Sequence, residues 1–85
     1  MKVSYHKNFA KSYKKLSPKI KEQFKKRLQL FLENPFHPVL NNHALHGEWR
    51  NFRSINISGN FRAIYKQLDD YVFEFVIIDT HGNLY

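Results

Sequence analysis

The sequence predicts an α+β fold, in which an N-terminal strand and a helical hairpin cover one face of a mainly antiparallel sheet of three to four strands. Apolar residues recur at helical spacing in the N-terminal half and at strand spacing in the C-terminal half. A loop rich in proline, asparagine and histidine separates the two patterns. The order of elements is strand, helix, helix, strand, strand, strand, and residues 1–85 are expected to form one domain.

Two amphipathic helices are predicted after a short strand at residues 3–5. The first helix begins near Lys7, and its apolar side consists of Phe9, Tyr13 and Leu16. Ser17 and Pro18 predict the start of the second helix, because serine caps helix N-termini and proline suits the first helical position. Asn34 should end that helix, since the proline after it disfavours helical backbone in the preceding residue.

Three strands are predicted in the C-terminal half, where apolar and polar residues alternate. They follow a predicted loop at residues 35–47 and cover residues 50–57, 61–68 and 71–78. Turns are expected at residues 58–60 and at residues 69–70. The third strand is apolar on both sides, which indicates that it lies inside the sheet.

The turn at residues 58–60 determines the register of the first hairpin. A three-residue loop there pairs Ile55 with Ala63 and separates apolar from polar side chains. A two-residue loop would mix the two sets, so the three-residue loop is the better prediction. Three polar side chains then project from the uncovered face of the sheet: Asn56, Arg62 and Lys66.

The composition indicates a protein that attracts polyanions. Fourteen Lys and Arg residues against seven Asp and Glu residues give a formal net charge of +7, which draws nucleic acid or an acidic protein toward the surface. The same charge could also serve solubility alone. The absence of cysteine excludes disulfides and thiol nucleophiles. Because neither a signal peptide nor a membrane-spanning apolar run is present, a cytoplasmic location without membrane contact is expected.

The residue types of the C-terminal half suit RNA cleavage without a cofactor. Such cleavage needs a base for the 2′-hydroxyl group, a cation for the phosphate and an acid for the leaving 5′-oxygen. Histidine, arginine and tyrosine can fill these roles or stack on bases, and four such residues are His43, Arg62, His81 and Tyr85. Arg53 and Lys66 are additional cations. No metal site is expected, since His43 and His46 have no nearby carboxylate partner.

Three stretches of the C-terminal half resemble bacterial toxins of the RelE/StbE type, the YafQ group among them. Residues 43–57 read HALHGEWRNFRSINI, residues 58–65 read SGNFRAIY, and residues 80–85 read THGNLY. These stretches occur in the order and at the spacing found in the toxins, and the basic helical hairpin before them fits the same plan of elements. Each stretch alone is a weak signal, whereas the three together are specific for the RelE/ParE superfamily.

The resemblance implies a toxin of a type II toxin–antitoxin system that acts as a ribosome-dependent mRNA endonuclease. Such toxins cut mRNA in the ribosomal A site, and a cognate antitoxin protein wraps around them. His81 corresponds to a C-terminal histidine with a proposed acid or base role, and His43 corresponds to a loop histidine of the YafQ group. Tyr85 matches the terminal aromatic residue, and Arg62 matches an arginine that stabilises phosphate. The expected substrate-binding residues are Arg53, Lys66, Asn56, Asn60 and Phe61.

Two positions depart from the YafQ pattern. Asn56 replaces a histidine, and Asn60 replaces an acidic residue. Neither asparagine can act as a base near neutral pH, so proton transfer would fall to His43 and His81 or would need help from the ribosome. Two other functions stay open: inhibition of DNA gyrase by protein contact, as in the related ParE toxins, and binding of RNA or antitoxin without cleavage.

Overall fold

The computed structural model describes residues 1–85 and is built around one five-stranded sheet. The strands are β1 (Lys2–Tyr5), β2 (His43–Ala44), β3 (Arg53–Asn56), β4 (Phe61–Gln67) and β5 (Val72–Thr80). The helices are α1 (Lys7–Lys14), α2 (Pro18–Glu33) and α3 (His81–Leu84). The spatial order of the strands is β1-β5-β4-β3-β2, in which β1 is parallel to β5 and the other neighbouring pairs are antiparallel.

Local hydrogen bonds explain where the first two helices begin. The Ser17 hydroxyl accepts a hydrogen bond from the Ile20 amide at 3.3 Å, and Pro18 occupies the first helical position, as predicted. His6 caps α1 in a similar way, because its Nδ1 accepts from the Asn8 amide at 3.0 Å. Neither of these helices, nor α3, is long and apolar enough to cross a membrane.

The face of the sheet toward α1 and α2, which we call the proximal face, holds the hydrophobic core. It carries Ile55, Ala63, Tyr65, Phe75 and Ile78, which are almost fully buried. The ring of Phe75 has its centroid between 5.4 and 5.9 Å from those of Phe9, Phe24, Phe31 and Tyr65. Several of these rings meet edge to face, an arrangement that adds about 0.5–1.5 kcal/mol per pair to the effect of burial. The predicted α+β fold is confirmed.

The sheet has five strands rather than the predicted three to four, because the segment predicted as a loop contributes β2. This strand has only two residues, and a stretch so short shows no alternation in the sequence. The predicted strand that begins at residue 50 in fact begins at Arg53. A single helical turn at Gly47–Trp49 precedes it, and Asn51 takes a positive φ of 76° that interrupts extended backbone.

The predicted register of the β3–β4 hairpin is confirmed, since Ile55 pairs with Ala63 and Asn56 pairs with Arg62. The prediction that the last strand lies inside the sheet is also confirmed, because β5 pairs with both β1 and β4. One extra residue, Val76, interrupts the β4–β5 register. This β-bulge lets both Phe75 and Ile78 face the core although three positions separate them.

The opposite side of the sheet, which we call the distal face, carries Ser54, Asn56, Arg62, Ile64 and Lys66. It was expected to be uncovered, and this expectation is wrong in part, because Ser54 and Ile64 are fully buried. Residues 47–52 fold against this face, where Trp49 and Phe52 line a groove together with Lys66. The part of the distal face near the β3–β4 turn keeps Arg62 and Asn56 half-exposed.

Candidate functional site

The last turn of the chain carries His81 and Tyr85 directly after β5. Its start is capped by the Thr80 hydroxyl, which accepts a hydrogen bond from the Asn83 amide at 3.3 Å. The His81 amide donates to the Asn60 carbonyl oxygen at 2.9 Å. The rings of His81 and Tyr85 lie 4.8 Å apart at an angle of 61°, and both side chains are exposed. An imidazole ring and a phenol ring therefore adjoin each other and are open to solvent.

The guanidinium group of Arg62 lies over the turn between β3 and β4. Its Nη1 donates to the carbonyl oxygens of Ser58 at 3.1 Å and Phe61 at 3.0 Å. Both terminal nitrogens also lie 3.4 Å from the Gly59 carbonyl oxygen. These acceptors are neutral, whereas a phosphate oxygen forms shorter and stronger charge-assisted hydrogen bonds with arginine. A phosphate could therefore replace the carbonyls as the partner of Arg62.

The β3–β4 turn brings two predicted site residues together. Its residues 58–59 bind the Arg62 guanidinium, and the next residue, Asn60, binds the backbone of His81. Arg62 also stands opposite Asp79 in the sheet, two positions before His81. Backbone hydrogen bonds of the turn thus link Arg62, Asn60 and His81, and the His81 ring contacts Tyr85; we call these four residues the turn cluster.

Two buried oxygen atoms on the distal face have no hydrogen-bond partner. They are Asn56 Oδ1 and Ser54 Oγ. Such a buried polar atom costs about 1–3 kcal/mol when it stays unpaired, so its presence calls for a reason. Arg62 lies directly opposite Asn56, but its guanidinium group donates to the turn instead.

His43 lies at the edge of the sheet in β2. Its Nδ1 is 2.7 Å from the Asn41 carbonyl oxygen. A carbonyl oxygen can only accept, so this contact assigns the proton to Nδ1 and leaves Nε2 with a free lone pair in the neutral ring. Asn41 takes a left-handed backbone conformation, with φ 45° and ψ 47°, which asparagine tolerates better than most residues. The exposed His43 ring is therefore oriented as a proton acceptor.

The sheet register gives the separation between His43 and the turn cluster. His43 pairs with Ser54, whose cross-strand partner in β4 is Ile64, so His43 projects on the distal face. Arg62 is two residues along β4 from Ile64 and two strands away from β2. With strand spacings of about 4.8 Å and rises of about 3.4 Å per residue, the two Cα atoms are roughly 12 Å apart. Both side chains belong to the distal face of the sheet.

Two predicted substrate-binding residues lie on the proximal side instead. Phe61 packs against the hydrophobic core. Arg53 pairs with Tyr65, and its Nε donates to Asn42 Oδ1 at 2.9 Å while its guanidinium group lies over the Phe36 ring. Arg53 and Phe61 were expected to lie with the other site residues. Strand alternation instead places their side chains on the opposite side of the sheet.

Arg53 belongs to a structural polar cluster around Tyr65. The Tyr65 hydroxyl accepts a hydrogen bond from Asn42 Nδ2 at 2.9 Å. Burial raises the pKa of the Tyr65 phenol, and the hydrogen bond from Asn42 and the charge of Arg53 oppose that rise in pKa. Lys66 remains on the distal face, with its ammonium group 5.7 Å from the centre of the Phe52 ring.

The sequence did not single out two residues that contact the site. Asn41 orients His43 through its backbone carbonyl, and Trp49 donates from its indole nitrogen to the Leu84 carbonyl oxygen at 3.1 Å. Trp49 lies inside one of the three stretches that carry the resemblance, which was the available signal. No signal was available for Asn41, because backbone carbonyl contacts do not depend on residue type.

The mixed sheet, the helical hairpin and the turn cluster define a toxin fold of the RelE/ParE type. The family model for the YafQ bacterial toxin of type II toxin–antitoxin systems matches residues 1–85. The chain therefore belongs to the YafQ toxin family and is a toxin of a type II toxin–antitoxin system. No curated protein sequence matches the chain significantly.

Solved structures agree with this assignment. The crystal structure of YafQ from E. coli strain BL21(DE3) has a TM-score of 0.82 and 24% identity, over 98% of this chain and 96% of the other. YafQ in the E. coli DinJ–YafQ toxin–antitoxin complex has a TM-score of 0.74 and 26% identity, over 98% and 94%. The YoeB/ParE toxin from Agrobacterium tumefaciens has a TM-score of 0.77 and 16% identity, over 95% and 99%, and shares the fold.

Proposed function

We propose that this toxin is a ribosome-dependent endoribonuclease that cuts translated mRNA by metal-independent acid–base chemistry. The observation that carries the proposal is the β3–β4 turn, whose carbonyl groups bind both the Arg62 guanidinium and the His81 amide. A phosphate-binding cation beside a proton-transferring group is what cleavage of a phosphodiester requires. The net charge of +7 favours a polyanionic substrate.

In the proposed reaction, His43 is the base and His81 is the acid. Because His43 Nδ1 donates to Asn41, the free Nε2 takes the proton of the 2′-hydroxyl group. The 2′-oxygen then attacks the adjacent phosphorus, and the bond from phosphorus to the 5′-oxygen breaks. Protonated His81 gives its proton to that leaving oxygen. The products are a 2′,3′-cyclic phosphate and a 5′-hydroxyl end.

Arg62 stabilises the negative charge that builds up on the phosphate during this step. Its guanidinium group exchanges the neutral turn carbonyls for the non-bridging phosphate oxygens, which bind arginine more strongly. Asn56 helps to orient the displaced side chain, because its unpartnered Oδ1 lies on the residue opposite Arg62. Lys66 and Tyr85 bind the RNA on either side by charge and by stacking, respectively.

The proposed partners are the ribosomal A site, its mRNA and a protein antitoxin in the cytoplasm. E. coli YafQ forms a complex with DinJ, and its sequence is 26% identical to this one. A protein partner that binds over the distal face would cover His43 and Arg62 and so prevent cleavage. The cytoplasm is the proposed location because translated mRNA is found there.

Ribosomes stalled on a defined mRNA test the proposal directly. We expect the wild-type toxin to produce cuts next to the A-site codon, detected by primer extension, and the Arg62→Ala, His81→Gln double variant to produce none. His46→Gln is the matched control, because His46 is exposed and caps no helix through its side chain. Intact mRNA in this assay, together with DNA breaks in a parallel assay with gyrase and plasmid DNA, would instead support a ParE-like function. Ribosome binding without any cut would contradict cleavage.

A further inference from the structure

The position of α3 depends on contacts with the rest of the chain. This helix has four residues, His81–Leu84. Helices of this length are unstable by themselves in water. His81 in α3 and Tyr85 directly after it can therefore keep a defined position only if contacts with the rest of the protein fix the helix.

Trp49 supplies a contact at the C-terminal end of α3. Its indole N–H donates to the Leu84 carbonyl oxygen at 3.1 Å, across 35 positions of sequence. Carbonyl groups in the last turn of a helix have no partner within the helix, so this hydrogen bond satisfies one of them. The His81 amide is held at the other end by Asn60. The helix is thus attached to the sheet at both ends.

The indole ring is itself held in place. It is half-buried and meets the Phe52 ring edge to face, with centroids 5.5 Å apart and an angle of 86° between the planes. The Phe52 amide donates to the Trp49 carbonyl oxygen at 3.0 Å, which closes the turn between the two residues. Phe52 lies next to Lys66 of β4. Trp49 therefore links α3 to the sheet through its contacts with Phe52 and Leu84.

We infer that Trp49 is a positioning residue, which holds His81 and Tyr85 in place through the hydrogen bond from its indole N–H to the Leu84 carbonyl. The inference rests on the proposed function, in which His81 donates a proton. Trp49 does not contact the reacting atoms, so its loss should slow cleavage strongly through His81 and weaken RNA binding to a smaller extent through Tyr85. A displacement of about 1 Å at a reacting group can cost up to about a hundredfold in rate.

The hydrogen bond can be tested without RNA, because Trp49 is the only tryptophan of the chain. Its indole N–H gives a single signal in a ¹H–¹⁵N NMR spectrum, and we expect this proton to exchange slowly with solvent. Removal of residues 84–85 deletes the acceptor, so the indole signal should shift and exchange much faster. An indole signal that is the same in the full-length and shortened chains would overturn the inference.

The effect on cleavage is tested with Trp49→Phe, which keeps an aromatic ring beside Phe52 and removes the N–H donor. We expect kcat to fall about tenfold to a hundredfold and KM to rise by a smaller factor, and the Tyr85 amide to exchange faster with solvent. Tyr71→Phe is the matched control, since it removes a polar hydrogen from a ring that is 73% exposed. Melting temperatures of both variants should stay close to that of the wild type.

The outcomes separate this inference from the proposed function. If the wild type does not cut ribosome-bound mRNA, the proposed function fails. Slow exchange of the indole proton that becomes fast in the shortened chain would still support the hydrogen bond between Trp49 and α3 in that case. If the wild type cuts and Trp49→Phe cuts equally fast, the positioning role is wrong although the nuclease is real. If Trp49→Phe does not fold, the shortened chain and its indole signal still decide whether the hydrogen bond exists.

Discussion

The two faces of the sheet differ in what their side chains contact. On the proximal face, Phe75 and its aromatic neighbours contact one another and exclude water. On the distal face, Arg62 and His43 bond to backbone carbonyls, and two buried oxygens have no partner. The proximal face therefore stabilises the fold, whereas the distal face carries polar groups with neutral partners or none, at some cost in stability. Substitutions on the two faces should separate stability from activity.

The largest effect on stability is expected for Phe75→Ala on the proximal face. Phe75 is fully buried among five other rings, so its truncation should lower the free energy of unfolding by about 3–5 kcal/mol. Urea unfolding followed by circular dichroism measures this loss. Tyr71→Ala, at an exposed ring, should change stability by no more than about 0.5 kcal/mol. Equal losses in the two variants would contradict the assignment of the core.

The largest effect on activity is expected for Arg62→Ala on the distal face. Loss of the charge-stabilising donor should slow mRNA cleavage by about 10²–10³-fold. The free energy of unfolding should fall by no more than about 1–2 kcal/mol, because the lost hydrogen bonds go to neutral carbonyls beside solvent. Arg62→Lys should retain part of the activity, since lysine keeps the charge but not the paired donors. A fully active Arg62→Ala variant would remove Arg62 from the site.

A smaller effect on stability is expected at alkaline pH, where the Tyr65 phenol loses its proton. Burial raises the pKa of this phenol above its ordinary value of 10.0, so the folded protein keeps a proton that the unfolded chain releases. The stability that depends on this proton is complete below pH 10 and is lost as the pH rises through the raised pKa. Tyr5 has the same direction of pKa shift. Unfolding of wild type and Tyr65→Phe at increasing alkaline pH should show a shallower decline in the variant, and parallel declines would contradict this account.

The smallest effect is expected for Ser54→Ala, at a buried hydroxyl without a partner. Its removal should leave the free energy of unfolding unchanged or raise it by up to about 1 kcal/mol. Ser12 offers the matched control, because its hydroxyl donates to the Phe9 carbonyl and accepts from the Ile78 amide, both at 3.1 Å. Ser12→Ala should therefore lower stability by about 1–2 kcal/mol. A larger loss for Ser54→Ala than for Ser12→Ala would show that the Ser54 hydroxyl is bonded.

Local signals in the sequence predicted most of the fold. The cap at Ser17 and Pro18 and the apolar spacing defined both long helices, and the turn at residues 58–60 defined the register that places Asn56 and Arg62 on one face. The strand β2 was missed because a strand of two residues is too short to show an alternation of apolar and polar side chains. The partial cover of the distal face was missed because it arises from Trp49 and Phe52, whose contacts with distant residues leave no local pattern.

The candidate site could be predicted in residue type but not in arrangement. The stretches that resemble YafQ toxins named His43, Arg62 and His81, but Arg53 was also expected at the site, and its pairing with Tyr65 places it on the proximal face. The sequence could not distinguish the base from the acid. The proposed assignment of His43 as the base rests on the Asn41 carbonyl, which only the folded backbone brings within 2.7 Å of His43 Nδ1.

The division of proton transfer between His43 and His81 is the central claim, and a modified mRNA tests it most directly. In this mRNA, sulfur replaces the 5′-oxygen of the cleaved bond, and a thiolate leaves without a proton because thiols are far more acidic than alcohols. On ordinary ribosome-bound mRNA, we expect His81→Gln and His43→Gln each to cleave about 10²–10⁴-fold more slowly than the wild type. On the sulfur-containing mRNA, His81→Gln should regain nearly the wild-type rate, and His43→Gln should stay slow. Recovery of His43→Gln instead, or wild-type rates for both variants on ordinary mRNA, would contradict the account.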